Sequence, residues 1–126
     1  MALLKKNITA AEFFSYLHMV RTTAQLTHNA QPDGRLSTHE VMREIYEGVE
    51  DIMDGIIESY QGIYGIQRIV APECKSLSST PATDVAMWYK YIQDNRSIFE
   101  ESWIQNQIDA LCELLATSLY KLRNVR

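Results

Sequence analysis

The sequence predicts an all-α protein, a four-helix bundle in a single domain over residues 1–126, with a long connection between the second and third helices. Three observations carry this. Four stretches repeat apolar residues at steps of three and four, the period of one helix face. Three of them open with serine or threonine followed three residues later by glutamate, the pattern of a capping box. No segment alternates apolar and polar residues between turns as a half-buried strand does.

Thr9-Ala10-Ala11-Glu12 is the first such box and starts a helix running to about His28. Phe13, Tyr16, Leu17, Val20, Ala24 and Thr27 form its buried stripe, and residues 1–8 are a short lead-in. Asn29 to Gly34, with Pro32 and Asp33-Gly34, is a turn. Ser37-Thr38-His39-Glu40 then caps a long second helix, Ser37 to Tyr60, which should fray near Gly62 or Gly65. Val41, Ile45, Val49, Ile52, Ile56 and Tyr60 make its apolar face. Residues 67–79 are irregular, since Pro72 interrupts a helix and Ser76, Ser78 and Ser79 favour a loop.

Thr80-Pro81 reads as an N-cap followed by proline at the first helical position. The third helix, with Val85, Trp88, Tyr91 and Ile92 inward, stops around Asp94-Asn95. Ser97-Ile98-Phe99-Glu100 is the third capping box. The fourth helix runs to about Leu122 on Ile104, Ile108, Leu111, Leu114, Leu115, Ser118 and Leu122. The long middle connection would allow the third helix to run parallel to the second.

Composition narrows the function. A chain of 126 residues that is 46% hydrophobic and 22% charged is an ordinary globular domain. Its net charge of -4 argues against a whole-surface nucleic-acid binder. Lys121, Arg123 and Arg126 near the end suit the negative pole of a helix. Cys74 and Cys112 stand far apart, without a metal-binding or disulfide pattern, and read as free thiols, Cys112 packed and inert. The first residues lack a signal-peptide apolar run, and no stretch approaches a membrane span. The expectation is a soluble, cytoplasmic protein with no membrane partner.

The second helix holds the chemistry. Seven acids (Glu40, Glu44, Glu47, Glu50, Asp51, Asp54 and Glu58) accompany one base, Arg43. This is either a solvated face or half of a metal site. Asp54 and Glu58 are four apart and share one side of the helix. All three histidines, His18, His28 and His39, lie in the first third. His18 sits near the apolar stripe and reads as a packed histidine; His28 can end its helix, and His39 can serve a first turn. His39 precedes Asp54 by fifteen residues, roughly 22 Å at 1.5 Å per residue. One helix therefore cannot bring them to one metal, whereas two antiparallel copies can. Trp88, Trp103 and the tyrosines read as core or interface residues.

The order His28, ten residues, His39, fourteen residues, Asp54, three residues, Glu58, with Tyr46 and the His39-Glu40 pair, resembles the Dps-like miniferritins. The resemblance covers about residues 12–63, and the later half is similar only in helical layout. It implies a ferritin-like bundle and an iron site between two subunits, with His28 and His39 from one and Asp54 and Glu58 from the other. It further implies ferroxidase activity and a homo-oligomer formed through the second helix. Small bacteriophage proteins of this helical kind are a further point of similarity.

The chain departs from the family at Arg43, where an acidic residue is usual, and at Asn29, where a tryptophan is usual. The gap from His28 to His39 is one residue short. The basic N-terminal extension that many members use on DNA is reduced to Lys5 and Lys6. The Glu-x-x-His motif of larger di-iron bundles is absent from the sequence. The alternative expectation is a non-catalytic helical oligomer that keeps the bundle without the metal.

Overall fold

The computed structural model describes residues 8–73 and 80–126. Lys5, Lys6, Cys74, Ser76, Ser78 and Ser79 lie outside the described residues. Four α-helices account for the architecture: α1 (Ala10–Ala30), α2 (Leu36–Tyr64), α3 (Pro81–Asn95) and α4 (Ser102–Asn124). A short 3-10 turn, Arg96–Ile98, separates α3 from α4, and no strand occurs among the described residues.

The first capping box forms as read. The Thr9 hydroxyl accepts from the Glu12 amide at 3.1 Å, and the Glu12 carboxylate faces the Thr9 amide. α1 then runs two residues past His28 and closes at Gln31, whose left-handed backbone lets its N–H reach the Thr27 carbonyl.

The second box does not form. α2 starts at Leu36, one residue before Ser37, which puts Ser37 inside the first turn with its hydroxyl buried and unpartnered among the described residues. The capping carboxylate comes from the loop instead. Asp33 accepts from the Arg35 amide at 3.0 Å and from the Thr38 hydroxyl at 2.7 Å. Burial pushes the Asp33 carboxyl up, but those two bonds and the Arg35 charge outweigh it and hold it below the usual range.

The third box does not form either. Phe99 is drawn into the core, 3% exposed, with its ring 5.0 Å from Phe13 and 5.6 Å from Tyr60. That burial holds the backbone extended at Phe99, so α4 begins later, at Ser102. The corner is tied by Arg96, which donates to Gln105 Oε1 at 2.7 Å and to Asp109 at 2.6 Å. Gln105 in turn donates to the carbonyls of Arg96 and Phe99.

The end-to-end contacts define the chain path. Phe14 near the start of α1 meets Tyr60 near the end of α2 and Phe99 between α3 and α4. At the other end Arg35 donates to the Val125 carbonyl at 2.7 Å. A small cavity there joins Asp33, Thr38, Pro81 and Leu122, so the start of α3 lies beside the start of α2. α2 and α3 therefore run in the same direction, and the connection between them returns along the bundle. Ser15 of α1 holds it partway by donating to the Val70 carbonyl at 2.7 Å.

α1 packs on α2, α2 on α4 and α4 on α3, while the stacked Tyr16 and Tyr91 rings join α1 to α3. α2 and α4 approach closely because Gly48 has no side chain; a Cβ there would lie 2.7 Å from a Leu114 methyl carbon. The core is the set of inward stripes, among them Leu17, Val20, Ile45, Val49, Ile92, Ile108 and Leu115, all fully enclosed. Tyr16, Ile52, Tyr60, Tyr91 and Leu114 of the expected stripes are only half-buried. Cys112 is buried, and that burial pushes its thiol up, in keeping with an inert packed cysteine. No described helix is long and apolar enough to cross a membrane.

Candidate metal centre

The turn between α1 and α2 folds His28 back onto His39. Each histidine uses Nδ1 on the other's main chain: His28 Nδ1 lies 2.6 Å from the His39 carbonyl oxygen, and His39 Nδ1 lies 2.9 Å from that of His28. A carbonyl oxygen can only accept, so both Nδ1 atoms carry hydrogen and donate. In the neutral ring the lone pair then sits on Nε2, the arrangement in which a histidine can ligate a metal with its other nitrogen held in place. The two rings stack at 3.9 Å with an 18° tilt, and the Tyr46 ring meets His28 edge-on at 5.5 Å. Both imidazoles are half-buried, so the pair is built into the α1–α2 seam yet open to one side.

Asp54 and Glu58 are exposed on α2, on successive turns of one side. Among the described residues no ion pair engages either of them. Their neighbours are different: Glu50 is held by Arg21 of α1 at 3.3 Å, and Glu44 by Lys121 of α4 at 3.0 Å. Within one chain the structure thus brings two of the four expected ligands together and leaves the other two along the helix. Among the described residues no three histidine, cysteine or carboxylate groups of one chain converge on a metal position. Arg43 is exposed, one turn from His39 on the same helix. His18 is half-buried on α1 and stands apart from the pair.

The reciprocal Nδ1 bonds could not be read from the sequence. Its signal was limited to two histidines flanking a short turn, and a turn of that length can set the rings at many angles. A cleft of about 440 Å³ lies elsewhere, between α1, Tyr91 of α3 and the returning connection. Glu12, Tyr16, Arg68 and Glu73 edge it, and burial followed by Tyr91 and Asp84 pushes Tyr16 up to about 12. None of the four expected ligands faces it.

The described residues thus form four helices with a histidine pair held at the α1–α2 turn. Residues 35–122, from the start of α2 almost to the end of α4, match a family of unknown function, DUF5856. That match spans more than half of the chain, and the chain belongs to this family. No curated protein and no solved structure matches it.

Proposed function

We propose that this chain is a Dps-like, ferritin-like protein that takes ferrous iron as substrate at an interface between two copies and oxidises it. His28 and His39 of one copy supply nitrogen ligands, while Asp54 and Glu58 of the other supply oxygen ligands that balance the ion's charge. The observation that carries this reading is the reciprocal Nδ1–carbonyl pair, which fixes both histidines in the tautomer that leaves Nε2 for a metal. The unengaged, exposed carboxylates of Asp54 and Glu58 support it, as does a bundle in which α2 and α3 run parallel across a returning connection. Each ferrous ion would give up one electron to an oxidant from solution. The protein's share is to gather the ions, hold them and lower the cost of the added positive charge with carboxylates.

A second reading has its own observation. Arg43 is a fixed positive charge one turn from His39, and it opposes a cation there. On this reading the chain is a non-catalytic helical oligomer, and the histidine pair is a structural clasp of the α1–α2 turn. Anaerobic ferrous titration of the wild type against Asp54→Ala, followed by absorbance on admitting air, separates the two. Binding by the wild type that Asp54→Ala loses supports the iron reading. No binding, or equal binding by both proteins, sinks it and leaves the clasp.

A further inference from the structure

The end of α4 and the start of α2 meet at a hollow of about 600 Å³ edged by Arg35, Arg123, Asn124 and Arg126. It gathers three guanidiniums in a chain whose net charge is -4. The negative pole of α4, roughly half a charge, does not balance them, and the positive pole of α2 lies at the same end. Arg35 spends one N–H on the Val125 carbonyl at 2.7 Å. Among the described residues no hydrogen bond or ion pair engages the side chains of Arg123 and Arg126. Acids of the neighbouring turns are committed elsewhere: Asp33 to the Arg35 amide and the Thr38 hydroxyl, Glu44 to Lys121.

A second hollow, about 330 Å³, adjoins the first and shares Arg123 and Asn124 with it. Its other walls are apolar or aromatic: Tyr89 of α3 with Ala116, Leu119 and Tyr120 of α4. Ala116, Tyr120 and Arg123 follow one another at helical steps along one side of α4, so the aromatic half leads into the cationic half. Tyr120 is 63% exposed, which leaves its ring open to a ligand.

We propose that this end of the bundle binds a nucleoside diphosphate, with the phosphates on Arg35, Arg123 and Arg126 and the base against Tyr89 and Tyr120. A guanidinium offers pairs of N–H groups that match phosphate oxygens two at a time. One phosphate monoester carries about −1.5 to −2 charges, less than three arginines supply, so two phosphates suit the cluster. A bare diphosphate would leave the adjoining hollow unused, whereas the flat face of a tyrosine takes any base by stacking. Binding at one end also fits a net-acidic chain, which repels a long polyanion from most of its surface. None of His28, His39, Asp54 and Glu58 edges either hollow, so the site stands apart from the metal reading.

The test is isothermal titration calorimetry on the full chain with ADP, adenosine and inorganic pyrophosphate, with chelator present to keep any metal out. ADP should bind about tenfold or more tightly than either half. Arg123→Gln should weaken both ADP and pyrophosphate by about tenfold. Tyr120→Ala should weaken ADP by about tenfold and leave pyrophosphate unchanged. Both positions are exposed, and far-UV circular dichroism checks that the variants stay helical. No binding of ADP, ADP no tighter than pyrophosphate, or either variant matching the wild type overturns the proposal. A short single-stranded oligonucleotide is the other source of the same chemistry. A strand that binds more weakly than ADP supports the free nucleotide, and a strand that binds where ADP does not overturns it.

Discussion

His28 and His39 hold each other through two hydrogen bonds and a stacked contact, so each ring is positioned by main chain rather than by a flexible side chain. Ser37, two residues from His39, has the opposite standing. As a helix cap it would accept a bond from the chain, and Ser37→Ala would cost about 1 kcal/mol. Inside the first turn its hydroxyl is buried and unpartnered among the described residues, a desolvation cost with nothing set against it. Ser37→Ala should therefore leave stability unchanged or raise it by up to about 1 kcal/mol. Urea unfolding of the two proteins measures this, and a loss near 1 kcal/mol would mean that the hydroxyl caps α2 after all.

α2 is started by Asp33 from three residues before its first turn, and that arrangement carries a pH signature. Asp33→Ala removes bonds to the Arg35 amide and the Thr38 hydroxyl and should cost about 1 kcal/mol at neutral pH. Because the folded carboxyl is held below its unfolded value, its contribution is present above the unfolded pKa of about 3.9 and is lost as pH falls through the folded value. The wild-type advantage over Asp33→Ala should thus be steady above about pH 5 and shrink in stronger acid. Melting temperatures of both proteins from pH 7 to pH 3 would show it, and a gap that widens in acid would rule it out. The same element shows how far the sequence could be read. The apolar stripe of α2 and its charged face were legible, because helical period alone sorts Val41, Ile45, Val49 and Ile56 from Glu47, Asp54 and Glu58. Its start was not, because Ser-x-x-Glu can be written at positions that Asp33 out-competes. α4 repeats the lesson: Ser97 and Glu100 satisfy the box, yet burying Phe99 outweighs one cap bond. The histidines were legible as candidates, while their mutual locking depends on a turn geometry that no spacing encodes.

Across the whole molecule, the matched family region begins at residue 35 and so leaves out α1, although α1 contributes His28 and much of the core. Phe13, Phe14, Leu17, Val20 and Ala24 are all enclosed, packed against α2, Phe99 and Tyr91. Burying the four larger of these side chains is worth on the order of 10 kcal/mol at 1.5–3 kcal/mol each, comparable to the whole stability of a domain this size. A chain shortened to residues 31–126 would therefore expose the inner faces of α2 and the Phe99 corner with nothing to cover them. It should keep helical far-UV circular dichroism, since α2 and α4 retain their local preferences, but lose a cooperative melt and bind a hydrophobic dye such as ANS. Adding α1 back as a peptide spanning residues 8–30 should restore the sharp transition, because its apolar stripe supplies the surface against which the inner faces of the other three helices pack. A cooperative melt of the shortened chain by itself would show that α2, α3 and α4 form a complete core, and that α1 is an addition serving the histidine pair alone.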